Sequence, residues 1–296
     1  RNFGFSCGWF RPKKHIRRNY HHSSHHTSPY FGVSGKLLKP IPKDEGDPHK
    51  VFTIYRFGGT DEGHKPKTQQ FELNTNTCGK MVLDALIRIK TMDPTLTFRR
   101  SCREGICGSC AINLQGMNRL ACITRIPKAK KIKIYPIPHM YVIRDLVVDM
   151  DHFMAGYDSI KPYLIRKQEI EMGKQQFAQS INDNILFDGL YECVLCSCCS
   201  TACPSYWWNG RRFLGPAALM HAYRWIIDSR DEATTQRLRA LRDDFKAFRC
   251  HAIFQGTVSC PKGLDPCQNV QKLKRLIAGV SSKKIPEMDC FLFKTY

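Results

Sequence analysis

Three scarcities in this chain each remove a class of function. No apolar run in its 296 residues approaches the ~18 needed to cross a bilayer, so any membrane contact has to come through a partner or a surface patch. Acidic side chains are absent from positions 1–43, which hold nine Lys or Arg. No nucleic-acid-binding motif accompanies that charge, so nucleic acid is not expected as a partner. The cysteines also lack the spread-out spacing of a disulfide framework. Several of the 15 lie two or three residues apart, the spacing of metal ligands, which implies a reducing compartment.

The basic, hydroxyl-rich segment RPKKHIRRNYHHSSHHTS, with no acid around it, has the composition of a mitochondrial transit peptide. Residues 1–45 are therefore expected to be a targeting segment or tail. The HHSSHH tract is a weaker candidate for adventitious metal binding. Beyond the tail the pattern divides at about residue 145. In 46–145, VFTIYRF (51–57), TLTF (95–98) and KIKI (131–134) read as strands. Val82, Ala85, Leu86 and Ile89 make one helical face that stops before Asp93-Pro94. After 145 the stripes Leu219–Ala222–Tyr223–Ile226, behind Pro216, and Val270–Leu273–Ile277 are helical. The expectation is an α+β chain: a small mixed sheet on one helix, then an all-α domain over 146–285 and a tail at 286–296.

Two cysteine constellations carry chemistry. CREGICGSC with Cys122 spells C-x4-C-x2-C and then an eleven-residue gap, the plant-type spacing for a [2Fe–2S] cluster on Cys102, Cys107, Cys110 and Cys122. Gly105 and Gly108 permit backbone conformations that aim amide N–H groups at sulfur. A zinc knuckle is the alternative, and the x4 gap and the glycines count against it. The second run is Cys193-x2-Cys196-x2-Cys199-x3-Cys203-Pro204. In the ferredoxin form of this run the fourth cysteine serves the other cluster. Crossed ligation then gives Cys193, Cys196, Cys199 and the distant Cys260 to a [4Fe–4S] cluster, and pairs Cys203 with Cys250 in a neighbouring centre. Cys198 is at the wrong offset for a ligand. Cys7, Cys78, Cys267 and Cys290 are isolated and are taken as non-ligands.

SCREGICGSCAINL, YECVLCSCCSTACPSYWWNG, GPAALMHAYRWIIDSRD and CPKGL closely resemble the iron–sulfur subunit of mitochondrial succinate dehydrogenase (respiratory complex II), in the succinate dehydrogenase/fumarate reductase iron–sulfur protein family. The resemblance runs over residues 48–280. It implies a β-grasp ferredoxin-like domain with the [2Fe–2S] cluster, followed by a 4Fe–4S ferredoxin-type helical domain with [4Fe–4S] and [3Fe–4S] clusters. It implies electrons arriving from FAD on a flavoprotein subunit and leaving to ubiquinone beside two membrane-anchor subunits. The subunit would be peripheral, on the matrix side of the mitochondrial inner membrane. The family's quinone pocket maps onto Pro204, Ser205, Trp208, His251 and Ile253. An indole N–H suits a quinone oxygen and an imidazole can carry protons near neutral pH, although Trp207 and Trp208 also suit an interface core. Ile54-Tyr55-Arg56 matches a family tripeptide that recruits the cluster-delivery chaperone; Ala247-Phe248-Arg249 matches a second site less well.

One position departs from the family. The resemblance places the three [3Fe–4S] thiolates at positions matching Cys203, Cys250 and Gly256, and glycine offers no donor. Cys267, where the family usually has a small residue, is expected to need a rearrangement to help. Ser259 or a water or hydroxide ligand are the other substitutes. An electron-transfer subunit, a structural or assembly paralogue conducting poorly to quinone, a fumarate reductase subunit and a soluble ferredoxin-like carrier all remain open. The PSYWWNG segment counts against the soluble carrier.

Overall fold

A computed structural model describes residues 47–59, 65–167, 175–287 and 292–294. Residues 1–45, expected to be a transit peptide or tail, lie outside them, as do Cys7 and Cys290. Residues 46–296 cluster as one compact unit.

The first half is a five-stranded mixed sheet on one helix. Strand β1 (His49–Arg56) pairs antiparallel with β2 (Lys67–Asn74). Helix α1 spans Val82–Met92, and the hairpin β3 (Ala111–Leu114) and β4 (Met117–Leu120) follows. Strand β5 (Lys131–Tyr135) runs parallel to β1 and antiparallel to β3, giving the order β2-β1-β5-β3-β4. Alternation explains the face: Phe52, Ile54, Ile132 and Ile134 are fully buried, while Lys131 and Lys133 between them are exposed. Against that face α1 packs Val82, Ala85, Leu86 and Ile89. At its start the Asp84 carboxylate accepts the Met81 N–H at 3.0 Å.

TLTF is not a strand. Its backbone is satisfied elsewhere: the Thr97 N–H donates to the Asp145 carboxylate at 2.8 Å and its carbonyl accepts from Leu146 at 3.2 Å. Short strands β6 (Val142–Arg144) and β7 (Val147–Val148) flank Asp145.

The second half is mostly helical: α2 (Asp151–Asp158), α3 (Ile181–Ile185), α4 (Cys198–Thr201), α5 (Pro204–Asn209), α6 (Gly215–Ile227), α7 (Thr234–Ala240), α8 (Gln255–Val258) and α9 (Pro266–Ile277). The all-α expectation needs correcting, because β8 (Gln175–Phe177) pairs antiparallel with β9 (Leu292–Lys294). Helices α6 and α9 form the core through Leu219, Ala222, Ile226, Val270 and Leu273, closed by Phe213. Each such large aliphatic side chain contributes about 1.5–3 kcal/mol on burial. A buried ion pair, Arg237 to Asp231 at 2.9 Å, braces the segment before β8, since the same guanidinium also donates to the carbonyls of Ile160, Lys161 and Tyr163. Among the described residues no helix is long and apolar enough to cross a membrane.

Candidate metal centres

The sheet positions the first set of thiols. Cys102 and Cys107 sit in the loop before β3, Cys110 at its start, and Cys122 just after β4. Positive φ at Arg103 (64°), Gly105 (76°) and Gly108 (70°) folds that loop back on itself. As a result the N–H groups of Glu104, Ile106 and Cys107 all donate to the Cys102 sulfur at 3.3–3.4 Å. Those donors, led by Cys107, hold the Cys102 thiol down at about 6, so it is ready as a thiolate. Cys110 and Cys122 are buried at the core edge, where the Cys122 N–H donates to the Cys110 sulfur at 3.4 Å. Burial pushes the Cys110 thiol up, so it stays protonated until a metal replaces the proton.

The second set surrounds a recess of about 360 Å³ of atom-free space including its mouth, lined by Cys193, Cys196, Cys199 and Cys260 with Ala217, Met220 and Leu264. Left-handed Leu195 (φ 52°) and Ser197 (φ 60°) allow sulfurs so close in sequence to face one recess. Burial raises Cys193 to about 11, and it raises Cys199 and Cys260 as well. Cys196 is lowered because the buried Cys198 thiol donates to its sulfur. Cys198 therefore acts on the recess through Cys196 and does not line it.

Cys203 starts α5 and lies in a separate recess of about 400 Å³, lined also by Pro204, Ser205, Cys250, His251, Ile253, Gly256 and Cys267. Four of the five expected quinone-pocket residues stand together here. The fifth, Trp208, is outside that lining and 75% exposed; Trp207 is the anchored indole, donating to the Thr201 carbonyl at 2.6 Å and stacking on His139. Cys267, expected to be isolated, lines the same recess as Cys203 and Cys250. The exchange along the chain, glycine at 256 and a thiol at 267, is legible in the sequence; the placing of the start of α9 in this recess is not.

The three sites adjoin. A Cβ on Gly108 would lie 2.7 Å from the Val194 carbonyl oxygen and 3.1 Å from the Cys196 Cβ, so the first loop rests on the second. A Cβ on Gly256 would lie 3.4 Å from Cys199, so the second site backs onto the third. Asn118 on β4 ties the halves further, donating at 3.0 Å to the Cys198 carbonyl and to the Thr201 hydroxyl. Among the described residues no three such side chains converge on a point that would hold a single ion. Thiols spread around a cavity suit multi-iron clusters better than a mononuclear zinc site.

Ile54-Tyr55-Arg56 is not a presented tripeptide. Ile54 is fully buried, and Arg56 is locked to Asp93 (2.8 Å), Asp145 (3.0 Å), Gln69 and Thr95. A chaperone could read it only before β1 enters the sheet.

Residues 51–155 match the model of a 2Fe-2S iron-sulfur cluster binding domain, and residues 192–265 that of a 4Fe-4S dicluster domain. A chain of the Mycobacterium smegmatis Sdh1 complex in the apo form is similar in fold, with TM-score 0.67 and 23% identity, over 79% of this chain and 97% of that one. A Helicobacter pylori protein described as hypothetical matches at TM-score 0.48 and 13% identity, over 79% of this chain and 40% of that one. The chain is an iron–sulfur electron-transfer protein with a 2Fe–2S domain followed by a 4Fe–4S dicluster domain.

Proposed function

We propose that this chain is the electron-transfer subunit of a succinate:ubiquinone oxidoreductase, active only within that complex and peripheral to the matrix face of the mitochondrial inner membrane. Its partners are a flavoprotein subunit carrying FAD and two membrane-anchor subunits. The carrying observation is contiguity: three thiol sets adjoin in the order first loop, Cys193–Cys260 recess, Cys203–Cys250 recess. Iron–sulfur clusters supply one-electron storage at such sites. The chain's own residues fix spacing, hold sulfurs with amide N–H groups and keep water out with apolar walls. Exposed Ile106 and Ile123 flank the first loop and suit docking of the flavoprotein. At the other end Pro204, Ser205, His251 and Ile253, with the exposed Trp208 on α5, form the face offered to quinone and the anchors.

The test is reconstitution. The full chain, co-produced with flavoprotein and anchor subunits in place of their usual iron–sulfur partner, is expected to co-purify and to support succinate-dependent reduction of a ubiquinone analogue. Failure to co-purify refutes the assignment. Gly256 favours a second reading, a structural paralogue, which predicts co-purification and succinate-dependent dye reduction without quinone reduction. Fumarate reduction uses the same relay in reverse and is separated by the direction of turnover.

A further inference from the structure

The third recess holds one more thiol than the sequence assigned to it. Cys203 enters from the start of α5, Cys250 from the loop before α8, and Cys267 from the first turn of α9. Cys267 is 6% exposed and lines the recess together with Cys203 and Cys250. The Gln271 side-chain amide lies 3.7 Å from the Cys250 sulfur. Phe213, Pro216 and Val270 complete a largely apolar lining.

The local backbone suits sulfur ligands to a metal. Ala252 (φ 55°) and Phe254 (φ 62°), which line the recess, are left-handed without being glycine, at about 1–3 kcal/mol each. Asp265 caps α9 by accepting the Gln268 N–H at 2.9 Å, and Thr257 on α8 donates to the same carboxylate at 2.7 Å. Cys267 is thereby fixed in the first turn of a 12-residue helix. Nothing in the backbone calls for glycine at 256. Its φ is not left-handed, and a Cβ there would meet Cys199 and Pro216 at 3.4 Å, ordinary contact. The recess thus loses a thiol at 256 and gains one at 267, which keeps its donors at three. Ser259, the other side-chain candidate, is buried outside the lining.

We propose that Cys203, Cys250 and Cys267 together hold the three-iron cluster, with Cys267 supplying the thiolate that Gly256 lacks. The proposal rests on the relay reading above. On ligation each cysteine exchanges its S–H bond for an Fe–S bond. The proton passes to solvent, no electron changes hands, and the cluster arrives preformed from a delivery protein.

The test uses the full chain, made anaerobically with a cluster-assembly system, as wild type, Cys267→Ala and the double variant Gly256→Cys/Cys267→Ala. Oxidised wild type is expected to give a [3Fe–4S] electron paramagnetic resonance signal. Cys267→Ala is expected to lose that signal and about three iron atoms per chain while its [2Fe–2S] and [4Fe–4S] signals persist, and the double variant to regain both. The persisting signals show that the variant folds. A [3Fe–4S] signal undiminished in Cys267→Ala overturns the assignment and leaves the relay standing. So does a Cys250–Cys267 disulfide in a wild-type chain that has the other two signals only. Loss of all three signals from the wild type refutes both the ligand set and the relay.

Discussion

Gly108 rests on Val194, its Cα so near that an added Cβ would come within 2.7 Å of the Val194 carbonyl oxygen. Because Gly108 lies between Cys107 and Cys110, and Val194 between Cys193 and Cys196, this contact sets the gap between the first two centres. Gly108→Ala adds both a clash and a left-handed φ of 70°. It is expected to destabilise the protein by about 1–3 kcal/mol and to slow magnetic relaxation of the [2Fe–2S] centre by moving its neighbour away. Thermal unfolding and microwave power saturation read the two effects. No change in either means that the loops do not depend on this contact.

Adjacent cysteines should behave differently. Cys199 lines the second recess, whereas Cys198 only donates to the Cys196 sulfur. Cys199→Ala is expected to abolish the [4Fe–4S] signal. Cys198→Ala should keep it at a lower reduction potential, since a hydrogen bond to a ligand sulfur is lost. Redox titration distinguishes the two, and loss of the cluster in Cys198→Ala would contradict the ligand set.

Arg56 links β1 to Asp93 and to Asp145, whose side chain is 3% exposed. Among the described residues, Arg56→Ala leaves the buried Asp145 charge with the Phe57 and Thr97 N–H groups alone, a loss of about 3 kcal/mol. The shift of the denaturant midpoint measures it. A full-strength midpoint with impaired cluster loading would instead point to a recruiting role before folding.

Acid should weaken the helical core through His221. It is buried on α6, its Nε2 has no hydrogen-bond partner among the described residues, and burial, then the nearby Arg224, lower it from 6.5 to about 4. Between those values the unfolded chain takes up a proton that the folded chain refuses. Stability from this group is therefore full above pH 6.5 and falls by roughly 3 kcal/mol as the pH drops to 4. His221→Leu should flatten that slope in denaturant unfolding at pH 7 and pH 4.5. An unchanged slope means that the group does not titrate as its burial requires.

Periodicity and cysteine spacing made much of this legible. β1, α1, α6 and α9 stand where alternation or a helical stripe put them, because one face of each is buried in a continuous core. The grouping of Cys260 with Cys193, Cys196 and Cys199 followed from spacing, although Cys260 lies 57 positions beyond Cys203, the last residue of the Cys193–Cys203 run. TLTF misled because an Asp145 carboxylate, distant in sequence, replaced a neighbouring strand. Cys267 was hidden for a similar reason. Its place in one recess with Cys250 depends on how α9 packs against the left-handed loop at Ala252 and Phe254, which no local pattern encodes.

The central claim is a relay of three adjoining iron–sulfur centres, and a stepwise reductive titration of the full chain followed by electron paramagnetic resonance tests it most directly. Three distinct signals, each broadened or relaxed as its neighbour becomes paramagnetic, are the predicted result. Zinc in place of iron, or centres that titrate as magnetically isolated species, would contradict it.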